Sequence, residues 1–178
     1  MGCGYQWQTI PHTVLIPYII GDSDGALTNE LVRVLSLSGI GTFCQSGAQY
    51  RLQVTILRRE NQTIGYRRDR QQVSGENQKN LIAAEARKTV VVEAALYDEV
   101  TGKVIRGPCQ VDANVDYDYV DGDSIQDLVF VGPNGISQVV LPFSLGQLES
   151  IDAAQEAASR PLNVRIAKKI IDAIFCGW

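Results

Sequence analysis

Apolar and polar residues recur along the chain at spacings that predict its helices and strands. An apolar run from Thr13 to Ile20 predicts a first strand, in which Pro17 favours an edge position or a bulge because proline lacks a backbone N–H. The turn after this strand offers Ser23 or Asp24 as the N-cap of a helix that ends at Ser38-Gly39. The apolar residues of that helix recur at helical spacing: Leu27, Leu31, Val34 and Leu35.

The middle of the chain predicts three more strands. Residues 50–56 alternate between apolar and polar, which is the pattern of a half-buried strand. The polar stretch from Arg58 to Asn80 predicts extensions of two strands around a mobile loop, and the β-forming residues 89–97 follow it. A hairpin loop over 98–103 then leads into a strand with two different faces. Its apolar face holds Val111, Ala113, Val115, Tyr117 and Tyr119, and its polar face holds Asp112, Asn114, Asp116 and Asp118.

The last third of the chain predicts a hairpin and a helix. The turn at 132–135 separates two apolar runs, 128–131 and 136–141, and therefore predicts an extra hairpin. Residues 148–175 are predicted to be helical, with an interruption near Pro161. The apolar stripe of this helix, which includes Ile166, Ile170 and Ile174, is expected to pack on the sheet opposite Val54, Val92 and Val115.

The order of these elements predicts an α+β fold. We expect an antiparallel-rich mixed sheet of about four strands with two helices packed on one face, plus the extra hairpin. The length of 178 residues is that of one globular domain. A net charge of -4 is the opposite of what a general nucleic-acid binder carries, so no nucleic-acid partner is expected. The longest apolar stretch, Val14 to Ile20, is far shorter than the roughly 20 residues that span a bilayer.

Candidate catalytic and metal-binding residues are few. His12 is the only histidine and has no acidic residue or nucleophile near it in sequence, so a solvated or hydrogen-bonded side chain is expected. Gly39-Ile40-Gly41 follows a helix, whereas nucleotide-binding fingerprints follow a strand, and it is interpreted as a helix stop. The acidic stretch from Asp116 to Asp123 resembles a calcium loop, but its glycine falls one residue late and strand alternation also explains its acids. We expect neither enzymatic activity nor a cofactor or metal.

The cysteines leave two questions open. Cys3, directly after Gly2, has the position of the lipidated cysteine of a bacterial lipoprotein whose signal peptide has been replaced by a start Met; the alternative is a chance cysteine in a flexible segment. Cys44 and Cys109 are the pair to test for a disulfide. The alternative is that these two and Cys176 are buried thiols that behave as small hydrophobes.

Positive charge is concentrated in one part of this acidic chain. Arginine predominates there, and its planar guanidinium pairs bidentately with phosphate or carboxylate. The stretch therefore predicts a phosphate-binding surface. The alternative is a solvated ribbon that balances the acids of 112–123 across the sheet. The cationic residues are Arg58, Arg59, Arg67, Arg68, Arg70, Lys79, Arg87 and Lys88.

The chain resembles the family of lipopolysaccharide-assembly lipoproteins (LptE-like). The resemblance covers residues 3–120 and the last helix, and the chain departs from it in the arginine-rich stretch and in residues 121–147, which resemble an insertion. It rests on a pattern of elements: the Gly2-Cys3-Gly4-Tyr5 start before a Val-Leu-Ile-Pro strand, the helix over 27–35, the strand over 50–56, Lys79-Asn80 with Ala84-Glu85 before a long strand, and the amphipathic C-terminal helix.

This resemblance implies a single domain over residues 1–178, with residues 1–12 as a flexible anchor segment. It implies a protein held by a lipid on Cys3 at the periplasmic face of a Gram-negative outer membrane. Family members assist the assembly of a large β-barrel translocon (LptD-like) and bind lipopolysaccharide through basic residues. Lys79 best matches the basic residue implicated in that binding. The resulting lipopolysaccharide-binding candidates are Arg58, Arg59, Arg67, Arg68, Arg70 and Lys79.

A second class of function fits the same pattern. A periplasmic scaffold domain of a secretion-complex lipoprotein has a similar α+β build and binds a protein partner, for example by adding the partner's strand to its sheet edge. A signal peptide with a lipobox supports both classes. Co-purification with a large β-barrel distinguishes the first from the second.

Overall fold

The computed structural model of the chain describes residues 12–70, 77–119, 129–139 and 151–175. It confirms the α+β prediction, with two helices and a mixed, mostly antiparallel sheet. The elements in chain order are β1 (His12–Leu15), α1 (Ala26–Ser38), β2 (Gly41–Phe43), β3 (Tyr50–Arg70), β4 (Asn77–Asp98), β5 (Val104–Asp118), β6 (Val129–Val131), β7 (Ser137–Val139) and α2 (Ile151–Phe175).

The main sheet has five strands in the order β2-β1-β3-β4-β5, one strand more than expected. The additional strand is β2, which pairs in parallel with β1. Gly39 adopts a left-handed conformation and ends α1, as predicted. Gly41, however, opens β2, where a Cβ atom would lie 3.0 Å from the carbonyl oxygen of His12. The absent side chain of Gly41 therefore allows the close approach of β1 and β2.

The edge position predicted from Pro17 is wrong. β1 pairs in parallel with β2 on one side and with β3 on the other, so it lies inside the sheet. Pairing stops after Leu15 and resumes at Ile20, whose N–H donates to the Val54 carbonyl at 3.3 Å. Pro17 lies in this interruption, where its missing N–H removes no ladder hydrogen bond.

The predicted helix N-cap is also wrong. Gly25 is the N-cap residue of α1, so neither Ser23 nor Asp24 holds that position. The carboxylate of Asp22 takes over the capping role, accepting hydrogen bonds from the Thr28 N–H at 2.8 Å and the Thr28 hydroxyl at 2.7 Å. Asp22 is only 1% exposed, and these donors at the positive helix terminus compensate for the burial of its charge.

The long helix α2 runs through Pro161 without the predicted interruption. The ring of Pro161 faces solvent, and the helix loses only the hydrogen bond that a proline cannot donate. The predicted apolar stripe is buried, because Ile166, Ile170 and Ile174 are inaccessible to solvent. The extra hairpin is confirmed as well, since β6 and β7 pair antiparallel.

The described residues form two compact units. Unit 1 contains β1, α1, β2, the β3 residues up to Arg58, and residues 91–112 and 163–175. Unit 2 contains residues 59–90 and the described residues of 113–162. The single domain over 1–178 and the insertion over 121–147 stay predictions.

Candidate functional site

The predicted binding residues lie on two neighbouring strands. Arg58 and Arg59 lie in the middle of β3, and both are exposed. Because successive residues of a strand lie on opposite faces, these two arginines do not share a face. Arg67, Arg68 and Arg70 follow on β3 and Lys79 lies near the start of β4, with their side chains outside the described part.

Strand pairing brings the two ends of this basic stretch together along the backbone. β3 and β4 are neighbours in the sheet, and a Cβ atom at Gly65 would lie 2.6 Å from Cβ of Glu85. Gly65 therefore lies directly opposite Glu85. Continuing this antiparallel register places Arg70 opposite Asn80, next to Lys79.

Arg87 differs from the predicted binding residues, because it forms an ion pair with an acidic residue of the same chain. Its Nε and Nη2 atoms donate to the two carboxylate oxygens of Asp116 at 2.6 and 2.8 Å, across β4 and β5. This hydrogen-bonded carboxylate raises the pKa of the Arg87 guanidinium. For Arg87, the alternative interpretation therefore holds: its charge is balanced by an acidic residue across the sheet and does not serve a phosphate.

Lys88 contacts the long helix. Its ammonium donates to the Ser159 hydroxyl at 2.6 Å and to the Gln155 carbonyl at 3.2 Å, both on α2. The contact fastens β4 to the helix within unit 2. Arg87 and Lys88, at the end of the basic stretch, thus stabilise the fold.

The other candidate residues from the sequence that the structure describes have structural contacts. His12 lies 3.4 Å from the Gln49 side-chain oxygen through Nδ1 and packs edge-on against Tyr50, in keeping with a hydrogen-bonded side chain. Cys44 and Cys109 are half-buried free thiols, so the disulfide considered between them is not formed. Cys3, Cys176 and residues 120–123 of the calcium-like stretch lie outside the described residues. Within 12–70, 77–119, 129–139 and 151–175, no cluster of side chains could hold a metal ion.

Sequence reasoning missed a groove between the two helices of unit 1. Its volume is about 380 Å³. Leu37 lines the groove and is 72% exposed, because it lies outside the apolar stripe of α1. A leucine off the stripe was the feature of the sequence that could have indicated the groove. The groove is lined by charges of both signs. Its lining residues are Arg33, Val34, Leu37, Ser38, Ile40, Lys168, Ile171 and Asp172.

The sheet and helices define a fold that solved bacterial proteins share. An uncharacterized lipoprotein B from Nitrosomonas europaea matches with a TM-score of 0.54 and 13% identity, over 96% of this chain and 88% of that chain. A Xanthomonas campestris protein of the DUF330 family matches with a TM-score of 0.51 and 12% identity, over 94% and 86% of the two chains. Rare lipoprotein B from Shewanella oneidensis has a TM-score of 0.47 and 15% identity, over 90% and 92%.

The two matches with TM-scores above 0.5 show the fold, which is one that a bacterial lipoprotein has. No protein-family model and no curated protein matches the sequence. Within the described residues, neither helix combines the length and the apolar character needed to cross a membrane.

Proposed function

We propose that this chain is a lipid-anchored lipoprotein of the Gram-negative outer membrane, on the periplasmic side, that assists lipopolysaccharide assembly without catalysing a reaction. It binds lipopolysaccharide and a large β-barrel translocon. The observation that carries the proposal is the pairing of a lipoprotein-type fold with a β3–β4 strand pair rich in arginine. The position of Cys3 behind Gly2 supports the lipid anchor.

The chemistry of the basic strands suits an anionic glycolipid. Lipid A and the inner-core sugars carry phosphates and carboxylates, which arginine binds through a planar pair of donors. Exposed ion pairs are individually weak and screened by salt, so several cations must act together. Arg58 and Arg59 are exposed. Arg87 and Lys88 bind Asp116 and α2. The binding candidates are therefore those from Arg58 to Lys79, which do not all lie on one face of the strand pair.

Binding of labelled lipopolysaccharide tests the basic strands. The triple variant Arg67→Glu, Arg68→Glu, Lys79→Glu is expected to bind far more weakly than the wild type, and added salt should weaken the wild type. The control variant Lys103→Glu, Arg160→Glu, Lys168→Glu has the same net charge, and its three positions are exposed elsewhere. Equal binding by the two triple variants would remove the basic strands from the mechanism.

Labelling and co-purification test the anchor and the partner. The full-length precursor should incorporate labelled palmitate, and its Cys3→Ser variant should not; equal labelling contradicts the anchor. The lipidated protein should co-purify with a large β-barrel. Recovery of a different envelope protein, together with equal lipopolysaccharide binding by the triple variants, would favour the scaffold function.

A further inference from the structure

Strand β5 forms one edge of the main sheet. It has 15 residues, whereas the strand at the other edge, β2, has only 3. An exposed edge offers backbone N–H and C=O groups that another chain can pair with, and proteins block such edges with prolines and charged side chains. Because β5 is much longer than β2, blocking its edge prevents more pairing with another strand than blocking the edge of β2.

Two hydrogen bonds show which residues of β5 face its neighbour β4. The Lys103 carbonyl, just before β5, accepts from the Asp98 N–H at 2.9 Å, and the Tyr119 N–H, just after β5, donates to the Ala84 carbonyl at 3.0 Å. The backbone groups of successive strand residues point to alternate sides. Gly107 has a φ of +89° and interrupts the regular strand. From Cys109 to Asp118, odd-numbered residues of β5 therefore face β4, and even-numbered residues face outward.

Two residues limit pairing along this outward row. Pro108, directly before it, has no N–H to offer an added strand. At Asp112, the carbonyl oxygen accepts a hydrogen bond from the ammonium of Lys169 on α2, at 2.7 Å. A charged donor makes this bond stronger than a neutral one. Between these two residues lies Gln110, whose side chain is exposed.

The position of Lys169 matters for pairing between two copies of the chain. In an antiparallel pair of β5 strands centred on Val111, Gln110 of each copy lies opposite Asp112 of the other. No two like charges then face each other at these positions. This register requires the Gln110 N–H of each copy to donate to the Asp112 carbonyl of its partner. Lys169 already donates to that carbonyl oxygen, so a partner N–H would have to share the acceptor with an ammonium group.

We propose that Lys169 blocks the β5 edge against a second copy of this chain. Its ammonium holds the Asp112 carbonyl, and Pro108, directly before this stretch of β5, has no N–H to offer. The occupant that the block excludes is β5 of another molecule. The role does not depend on the lipid anchor or on lipopolysaccharide binding.

Sedimentation velocity of the lipid-free 178-residue chain over a concentration series tests this role. Lys169→Met is expected to lower the dimer dissociation constant by about tenfold or more, because each copy frees one acceptor. Lys169→Arg keeps a charged donor and should sediment like the wild type. Lys168→Met is the matched control, since it removes the same charge and adds the same side chain at a neighbouring exposed position.

Hydrogen exchange locates the contact. In the Lys169→Met dimer, the amides of Gln110 and Asp112 should exchange at least about tenfold more slowly than in the monomer. Lys169→Ser, which adds no apolar surface, repeats the experiment, and near-UV circular dichroism checks that each variant is folded. The proposal is overturned if Lys169→Met associates no more than Lys168→Met. It is also overturned if the dimer forms while both amides exchange as in the monomer.

Discussion

The two units of the molecule have different cores. Unit 1 is filled by large aliphatic side chains from α1, α2 and the sheet, among them Leu31, Leu52 and Ile170, which are inaccessible to solvent. Among the described residues of unit 2, one cluster consists of small and aromatic side chains, Ala86, Ala154 and Tyr119, and the aliphatic Val90 and Leu162 are also buried. Because apolar burial scales with area, each of the large aliphatic side chains named in unit 1 contributes more to stability than an alanine of the unit 2 cluster.

The largest expected effect lies in unit 1. Ile170→Ala removes a side chain that is 0% exposed and should lower the free energy of unfolding by about 2–5 kcal/mol, through lost burial and the cavity it leaves. Urea denaturation measures the change. Lys168→Ala, at an exposed position of the same helix, is the control and should change little. An unchanged midpoint for Ile170→Ala would show that the unit 1 core does not rest on this stripe.

A smaller effect is expected in unit 2. Gly65→Ala places a Cβ atom 2.6 Å from Cβ of Glu85, so the two strands must shift, at a cost of about 1–3 kcal/mol. Native-state hydrogen exchange should accelerate in residues 84–90 more than in residues 92–96. Thr63→Ala, two residues earlier on β3, serves as the control. Equal acceleration in both ranges would contradict the separation of the two units.

The ion pair that joins β4 and β5 in unit 2 should be sensitive to salt. Arg87 and Asp116 are both exposed, so replacing Arg87 with Met should lower the melting temperature slightly at low salt and by less at about 0.5 M salt, where exposed charges are screened. Differential scanning calorimetry at the two salt concentrations measures this difference. A loss that is independent of salt would mean that Arg87 stabilises through packing of its stem.

The smallest effect concerns the turn that joins the same strands in unit 1. The Thr101 N–H and hydroxyl donate to Asp98 and lower the pKa of its carboxyl group. Because the folded pKa lies below the unfolded one, this stabilisation is present above the ordinary carboxyl pKa and is lost as pH falls through the folded pKa. An NMR titration of Asp98 checks the direction. In Thr101→Val the pKa should rise, and an unchanged pKa would rule out the hydroxyl as a contributor.

Most elements of the fold were predictable because burial imposes a period on the sequence. The alternation in β5 and the residue after it is an example: Ala113 and Tyr119 are buried and Asp112 and Asp118 are exposed, as expected. Strand β2 was not predictable, because three residues are too few to show a period. The capping role of Asp22 was also hidden, since its donor Thr28 is brought to it by a turn with a left-handed glycine.

The candidate site was less predictable than the fold. The sequence shows where cations concentrate, but it does not show which of them have acidic partners. Arg87 and Asp116 are far apart in the chain and meet only because β4 and β5 are neighbours. Lys88 likewise meets Ser159 through packing of α2. The number of cations in a stretch of sequence is therefore only an upper limit on the number that can bind a ligand.

The composition of unit 1 has a consequence for folding during synthesis. Its core combines β1 and α1, near one end of the chain, with Ile166, Ile170 and Ile174, near the other. Contacts between residues so distant in sequence slow folding, because a long loop must close before they form. Until α2 is available, Val34 of α1 lacks its neighbour Ile171 and exposes apolar surface. A chaperone that holds the unfinished chain should therefore act until residues 166–174 are available.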